Sequence, residues 1–373
     1  MQASHKHRAI VTHAHYRPPA AGGAFPRGSY TRPEPRIESR RFGALAAGEL
    51  RIEIERVGIC GSDLGVMQTD PVTGCISSTV PLSIPDSGRV LGHEGIGVVR
   101  EVGHGVTTFQ PGDWVTLKSI VCCQQCAPCR RGHFNQCLEA SLLGFQRDGI
   151  FAEMADVPAQ LAAGIGDLAG TEPGRQAAAC IEPAACALVA LQSASMQPGD
   201  RVLVMGAGPI GLFAAMLCRQ VFGAASVDVV EPAAFRRRFA RKWADRVHAV
   251  DEFLGASDSG PYDVMVEASG SLGNLDVSLR RMAANARIVL LARGVEPLHV
   301  GAVDHIVTNG LCITGSRGHL GGAFETILSL CLAEKLALHE VVTGVLQGLD
   351  AIHSTLERPL LLSEQHCKLQ VRL

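Results

Sequence analysis

Residues 201–221 read RVLVMGAGPIGLFAAMLCRQV, and this stretch decides how the second half of the chain folds. An apolar run typical of a buried strand comes first, three glycines follow, and the remainder has the apolar spacing of a helix. In such a strand, turn and helix, Gly206 permits the sharp turn, Gly208 lets backbone approach a pyrophosphate, and Gly211 lets the helix pack on the strand. The N–H groups that open the helix would face the phosphates. The residues predicted to bind a dinucleotide here are Gly206, Gly208, Pro209, Ile210 and Gly211.

A second strand-like run, Ser226 to Val230, ends at Glu231, about 20 residues after Gly211 as the dinucleotide fingerprint expects. A carboxylate at this place accepts hydrogen bonds from the adenosine ribose and repels a 2′-phosphate, which favours NAD. Arginines at 236–238 leave NADP open, because a guanidinium beside the ribose can hold the extra phosphate, although arginines on a helix face are often only solvated. A glycine-rich turn without a ligand is the remaining alternative. The sequence predicts NAD.

Length and composition restrict the class of protein. A chain of 373 residues exceeds one ordinary hydrophobic core, so two domains are expected. Hydrophobic content of 47% and a net charge of -2 are typical of a near-neutral globular protein, with no nucleic-acid or membrane partner expected. The positively charged residues of 1–8 are not followed by an apolar segment, which argues against a secretory signal and favours a cytoplasmic protein.

Four of the thirteen cysteines lie close together, at Cys123, Cys126, Cys129 and Cys137. A disulfide framework belongs to small secreted domains, whereas this spacing is typical of a zinc site. Cys122 offers a competing register, but only Cys123 gives the repeated two-residue gap. Because all four ligands would come from the protein, no position is left for a substrate, and the predicted zinc is structural.

A second metal site is predicted from residues that lie far apart in the sequence, namely Cys60, His93 and Glu182. Separately, each fits a buried thiol, a core histidine or a carboxylate at a helix start. Together they offer the three mixed ligands, with a fourth position open, that a catalytic zinc needs. Asp63 is a candidate for a carboxylate that does not bind the metal itself but orients the His93 ring.

The order of the elements predicts two kinds of domain. Arg8 to Thr12 is strand-like, and Pro18 to Gly48 reads as an extended loop. Short strands alternating with turns follow from Glu49, which favours a β-barrel. After Arg201, strands alternate with helices, the pattern of a parallel doubly wound sheet.

Several of these motifs together resemble the zinc-dependent medium-chain alcohol dehydrogenase family. The matching pieces are 58–63 (GICGSD), 92–94 (GHE), 111–113 (PGD), the four-cysteine lobe, 181–183 (IEP) and 206–211 (GAGPIG). The resemblance implies a fold of α/β plus β: a GroES-like β-barrel catalytic domain over 1–185 with a structural zinc lobe at about 122–137, a Rossmann NAD-binding domain over 186–318, and a return to the catalytic domain over 319–373. It also implies two zinc ions per chain, NAD, and a homodimer or homotetramer.

The resemblance gives roles to further residues. Glu94 of the Gly-His-Glu motif would approach the metal during ligand exchange, Arg236 would contact the adenosine, and Ser62 would pass a proton. Where the family usually has a relay histidine, this chain has Gly65. Glu182 followed by proline resembles the sorbitol, threonine and glucose dehydrogenase branch.

The predicted function is therefore reversible hydride transfer between a secondary alcohol, such as a polyol, sugar or amino alcohol, and NAD. The alternatives are an NADPH-dependent carbonyl reductase of the same family and a nucleotide-binding module without catalysis, which the missing histidine at Gly65 would suit.

Overall fold

A computed structural model describes residues 6–18, 29–78, 80–256, 260–293, 298–358 and 365–373. They form two compact units. The first contains the described residues up to 182, with 342–358 and 369–373, and the second contains those of 183–341 with 365–368. In chain order, the helices and strands up to Ala178 are β1 (Lys6–Arg17), β2 (Ser29–Arg41), β3 (Glu49–Gly58), α1 (Gly61–Met67), β4 (Arg89–Val90), β5 (Glu94–Val102), β6 (Trp114–Leu117), β7 (Ile120–Val121), α2 (Ala127–Arg130), β8 (Ser141–Leu142), β9 (Met154–Pro158), β10 (Ala162–Gly164) and α3 (Glu172–Ala178).

The unit boundary falls inside the next helix. The elements that follow are α4 (Ile181–Ser193), β11 (Arg201–Met205), α5 (Pro209–Gln220), β12 (Ser226–Val230), α6 (Ala234–Ala240), β13 (Arg246–His248), α7 (Val250–Gly255), β14 (Tyr262–Glu267), α8 (Leu275–Leu279), β15 (Met282–Leu290), α9 (Val303–Asn309), β16 (Cys312–Gly315), α10 (Ala323–Leu332), β17 (Val342–Gln347), α11 (Gly348–Glu357) and β18 (Lys368–Arg372). Short 3-10 helices lie at Phe134–Gln136, Ala159–Leu161, Gly166–Gly170, Leu272–Asn274 and Leu338–Val341.

The first unit is built on a seven-stranded sheet in the order β10-β6-β5-β3-β18-β17, with β9 also paired to β3. Alternation along β3 explains its place, because Leu50, Ile52 and Ile54 are buried while the intervening Glu53 is exposed. Its neighbour β5 pairs antiparallel to it, with Gly58 opposite Glu94. This pairing brings the end of the 92–94 motif (GHE) beside the start of the 58–63 motif (GICGSD).

The prediction of a loop over 18–48 is wrong for Ser29–Arg41, which forms β2. This strand pairs antiparallel with β1 in a three-stranded sheet of order β2-β1-β4. Its prolines, Pro33 and Pro35, are tolerated because β2 is an edge strand, where a missing N–H breaks no pairing on the open side. Residues 19–28 of the predicted loop lie outside the described residues. The strand predicted at Arg8 to Thr12 is confirmed within β1.

The second unit contains a six-stranded parallel sheet of order β13-β12-β11-β14-β15-β16. This is the strand order of a doubly wound dinucleotide-binding fold, in which ligands bind at the carboxyl ends of the strands. In β11 every residue after Arg201 is buried, as expected for a strand covered on both faces. The predicted parallel Rossmann sheet is confirmed.

The turn after β11 explains two of its glycines. Gly206 has φ +95, and a Cβ there would lie 3.0 Å from the backbone of Ser269. A Cβ at Gly211 would lie 2.0 Å from the Gly206 carbonyl oxygen. Both positions therefore require glycine, the first for backbone conformation and the second for the close approach of α5 to the turn.

The sequence places the return to the first domain at residue 319, whereas in the structure residues 319–341 belong to the second unit. The reason is packing, because α10 buries Phe324 and Ile327, and the 3-10 helix Leu338–Val341 contacts α5. Within the described ranges, no helix combines the length and the apolar character that crossing a membrane requires.

Candidate active site and metal centres

The Cys60, His93 and Glu94 side chains form a cluster in the first unit, in which His93 and Glu94 are buried and Cys60 is partly exposed. Cys60 lies between β3 and α1, and Glu94 begins β5 directly after His93. Because β3 and β5 pair at this end, the two segments are neighbours. One ligand atom from each of the three residues lies within 4.8 Å of the others. The structure thus brings together Cys60 and His93, which were predicted as ligands, and adds Glu94.

Asp63 holds this cluster from behind. Its Oδ2 accepts the backbone N–H of Cys60 at 3.1 Å, and its Oδ1 lies 3.3 Å from Nδ1 of His93. Burial lowers the pKa of His93, but the Asp63 carboxylate and Cys60 outweigh burial and hold that pKa well above its usual value. With Nδ1 directed at Asp63, Nε2 of His93 lies on the side of Glu94, 4.0 Å from its Oε1. Nε2 is therefore the nitrogen that remains to bind a metal.

The cluster fits zinc by spacing and by charge. Tetrahedral bonds of about 2.0–2.3 Å place ligand atoms roughly 3.3–3.8 Å apart, within the separation found. Burial and the negative charge of Glu94 raise the pKa of the Cys60 thiol. A cation among these groups would reverse that effect and favour the thiolate. The Ser62 hydroxyl donates to Sγ of Cys60 at 3.2 Å, which also suits a thiolate ligand.

Glu182 does not belong to this cluster in the structure. It lies near the start of α4, is buried, and accepts a hydrogen bond from the Ser119 hydroxyl at 2.9 Å. The sequence did not indicate Ser119, because an isolated serine after a short strand has no distinguishing pattern. The prediction that Glu182 is a zinc ligand stays a prediction.

The four predicted lobe cysteines do meet. Cys123, Cys126, Cys129 and Cys137 have sulfur atoms within 4.8 Å of one another, and Cys122 is not among them. Sγ of Cys137 lies 3.6 Å from Sγ of Cys123 and 3.9 Å from that of Cys126. Zn–S bonds of about 2.3 Å require roughly 3.8 Å between sulfurs of a tetrahedral site. The arrangement therefore fits a closed zinc site.

Backbone groups of the lobe favour thiolates. The Cys126 N–H donates to Cys123 Sγ and the Cys123 N–H to Cys137 Sγ, each at 3.3 Å. Backbone donors at Leu138 and Cys129 lower the pKa of Cys126 to about 6. Gln124 has φ 60, a left-handed conformation that costs roughly 1–2 kcal/mol for a side chain other than glycine.

In the second unit, Glu231 organises the glycine turn. Its Oε2 accepts the Ala207 N–H at 2.7 Å and its Oε1 accepts the Ala233 N–H at 2.9 Å. Arg236 donates from Nε to the His366 carbonyl at 3.2 Å, and one of its terminal nitrogens lies 3.9 Å from where a Cβ of Gly208 would be. A carboxylate and a guanidinium thus flank the turn. In such folds a carboxylate binds the adenosine ribose of NAD, and an arginine accommodates the 2′-phosphate of NADP.

Comparisons with known proteins agree with this geometry. Residues 46–167 match the alcohol dehydrogenase GroES-like domain. The chain is 31% identical to L-threonine 3-dehydrogenase of Pyrococcus horikoshii, over 83% of this chain and 87% of that protein. It is 32% identical to scyllo-inosose 3-dehydrogenase of Thermotoga maritima, over 80% of this chain and 78% of the relative. A crystal structure of a short chain alcohol dehydrogenase from E. coli, complexed with NADH, superposes with a TM-score of 0.82 at 25% identity and covers 100% of both chains.

The chain therefore belongs to the zinc-dependent medium-chain alcohol dehydrogenase family, and the predicted resemblance is confirmed. It is a dehydrogenase.

Proposed function

We propose that this dehydrogenase is zinc-dependent and oxidises the secondary hydroxyl of a polyol, sugar or amino alcohol with NAD. The observation that carries the proposal is the cluster of Cys60, His93 and Glu94, which Asp63 holds in place. The names of the relatives, a threonine and an inosose dehydrogenase, support a substrate with a secondary hydroxyl beside other polar groups.

Cys60, His93 and one carboxylate would hold a catalytic zinc, and the fourth position would stay open to the alcohol. The carboxylate is Glu94, which lies in the cluster, or Glu182, which the sequence predicts. When bound, zinc acts as a Lewis acid that lowers the pKa of an alcohol, as it does for water. Asp63 orients the His93 ring through Nδ1, so that Nε2 is the nitrogen that would give up its proton and bind the metal. Cys123, Cys126, Cys129 and Cys137 would hold the second, structural zinc.

Ser62 is the residue proposed to move the substrate proton. Its hydroxyl donates to Cys60 Sγ, so the oxygen lone pairs remain open to accept a proton from an alcohol. Gly65 offers no side chain for the next step, and a Cβ there would lie 3.9 Å from Cα of Ser78. The loop backbone therefore lies beside the space that a relay histidine would enter. We propose that Ser62 would accept the alcohol proton while it releases its own hydroxyl proton toward solvent, so that the serine stays neutral.

NAD is proposed as the cofactor because Glu231 presents a buried carboxylate at the end of β12. The free N–H groups that open α5 would bind the pyrophosphate, with Gly206, Gly208, Pro209, Ile210 and Gly211 forming the turn. Arg236 would contact the adenosine. Hydride transfer then depends on alignment of the nicotinamide, which the protein sets by binding the rest of the cofactor.

We also propose a homodimer or homotetramer. The edge strand β16 has an open side, and α9 exposes Val303 (58%) and Val307 (74%). A second copy of this surface is the partner that would cover these apolar groups. Light scattering of the wild type and of Val307→Asp tests this: a wild-type monomer would contradict it, and a smaller assembly in the variant supports it.

The test of the proposed function combines a substrate panel with one substitution. Purified protein with NAD is offered polyols, sugars, amino alcohols and simple secondary alcohols, and nicotinamide absorbance is followed. Cys60→Ser should abolish turnover of every alcohol that the wild type oxidises and should remove one zinc per chain, while NAD binding persists. Cys312→Ser changes an exposed cysteine outside both clusters and should behave as wild type. Full activity in Cys60→Ser would overturn the assignment.

A further inference from the structure

Two arginines follow neighbouring strands at the carboxyl edge of the parallel sheet. Leu290, the last residue of β15, pairs with Gly315, the last residue of β16. Beyond this pair, the Ser316 N–H donates to the Leu290 carbonyl at 3.0 Å, so the two segments remain neighbours just past the end of the sheet. Arg317 follows Ser316 directly, and Arg293 follows Leu290 after Leu291 and Ala292. Their side chains therefore start from adjacent points at the edge where such sheets bind ligands.

Backbone hydrogen bonds hold the segment that leads into Arg293. The N–H groups of Leu291 and Ala292 both donate to the carbonyl of Glu267, at 2.9 and 3.1 Å, and this ties the segment before Arg293 to β14. Arg317 is half-buried. Over the residues that the structure describes, no carboxylate lies within ion-pairing distance of Arg317, and the buried Ser316 hydroxyl has no hydrogen-bond partner.

The two guanidinium groups interact electrostatically. Part of the Arg293 side chain faces solvent, yet its partial removal from water and the positive charge of Arg317 lower the pKa of Arg293. Both groups remain cationic at neutral pH, since arginine does not lose its proton in proteins. Two cations at one edge repel each other, and an anion placed between them would remove that repulsion.

The sheet order indicates which part of a bound complex this edge faces. A dinucleotide lies with its pyrophosphate over the turn after β11 and its adenosine over β12, where Glu231 stands. The nicotinamide half then extends to the other side, over β14 and β15. With about 4.8 Å between strands, β16 is roughly 14 Å from β11. Arg293 and Arg317 therefore lie on the side of the reactive ring, away from the pyrophosphate.

We propose that Arg293, Arg317 and the Ser316 hydroxyl bind the carboxylate or phosphate of an anionic substrate. This inference rests on the proposed function and narrows the substrate to a secondary alcohol that carries such a group. A guanidinium presents parallel N–H donors that match both carboxylate and phosphate oxygens, and the serine hydroxyl adds a third donor.

Matched substrates test the proposal kinetically. Zinc-loaded enzyme with NAD is assayed on 2,3-butanediol against 3-hydroxybutyrate, and on glycerol against glycerol 3-phosphate. The anionic member of at least one pair should have the higher kcat/KM, and the favoured pair distinguishes carboxylate from phosphate. Arg317→Gln and Arg293→Gln should lower kcat/KM for the anionic member by about 10- to 100-fold, as expected for a lost hydrogen bond to a charged group. Turnover of the neutral member should stay within about twofold. Equal losses on both members, or no preference for either anion, would overturn the proposal.

Arg280→Gln is the matched control, since Arg280 is an exposed arginine of the same unit that pairs with Asp276. A binding measurement separates the anion site from catalysis. With NAD saturating, so that the glycine turn is filled, sodium phosphate at constant ionic strength should raise the Tm of the wild type and of Arg280→Gln in a saturable way. Arg293→Gln and Arg317→Gln should lose this rise. An equal rise in all four proteins would overturn the site, whereas a lost rise in a protein that oxidises no alcohol would overturn the proposed function and support the anion site.

Discussion

Oδ1 of Asp63 lies 3.3 Å from Nδ1 of His93, and both side chains are buried. The same carboxylate accepts the Cys60 N–H, so one residue fixes the two segments that carry the proposed metal ligands. A carboxylate that contacts the ring nitrogen facing away from the metal fixes the orientation and the tautomer of a metal-binding imidazole.

Asp63→Asn should therefore weaken the catalytic site without removing a ligand. The amide cannot balance the imidazole charge, and the expected loss is about 10- to 100-fold in zinc affinity or in kcat. Chelator competition and steady-state kinetics measure the two effects. Asp86→Asn, at an exposed loop position, is the control and should match the wild type. Unchanged zinc affinity and kcat in Asp63→Asn would show that the ion pair does not support the metal.

The cysteine lobe gives a test between adjacent residues. Cys123→Ser should remove one zinc per chain and lower stability by at least about 3 kcal/mol, or roughly 6–12 °C in Tm, because a closed site holds the lobe together. Cys122→Ser is the matched control, since Cys122 lies outside the sulfur cluster. Metal analysis and thermal unfolding decide. Equal zinc content and Tm in both variants would contradict a structural site at Cys123.

Sequence patterns predict best where the contacts are local. The four cysteines and the three glycines each lie within a short window, so spacing alone indicates that they meet. The cluster of Cys60, His93 and Glu94 depends on the pairing of β3 with β5, which no local spacing records.

The arginines at 293 and 317 and the strand Ser29–Arg41 were not predicted for a related reason. Each arginine looks like an ordinary surface residue until β15 and β16 are placed side by side. Prolines and charges in 29–41 are typical of a loop, and only pairing with β1 makes this segment an edge strand. Both the position of the arginines and the strand at Ser29–Arg41 depend on pairing between distant segments, which a short stretch of sequence does not record.

His7 should make stability depend on pH. The residue is 8% exposed, and its ring stacks on Phe42 with 4.1 Å between ring centroids. Burial lowers the pKa of His7 despite the nearby Asp156 and Glu153. The folded state therefore keeps the neutral imidazole, while the unfolded chain takes up a proton below about pH 6.5. Stability from this residue is fully present above that pH and declines as pH falls toward the lowered value, by at most about 1.4 kcal/mol per pH unit for one proton.

Urea unfolding at pH 7.5 and 5.5 measures this effect. Relative to the wild type, His7→Phe should lose less stability between the two values, since phenylalanine stacks without titrating. His15→Gln, at an exposed position of the same strand, should follow the wild type. An identical pH dependence in His7→Phe and the wild type would contradict a buried neutral His7.

Glu231→Ala should change the choice between NAD and NADP. In the structure both carboxylate oxygens accept backbone N–H groups of the turn, at 2.7 and 2.9 Å, and each keeps a further lone pair for a ribose hydroxyl. Alanine removes that acceptor and the charge that repels a 2′-phosphate, so kcat/KM for NAD should fall by about 10- to 100-fold. The value for NADP should fall less or rise, with Arg236 available to the phosphate. Asp251→Ala, an exposed acid of the same unit, should leave the ratio unchanged. A ratio that stays constant in Glu231→Ala would mean that the carboxylate only braces the turn, and a wild type that prefers NADPH would favour a carbonyl reductase instead.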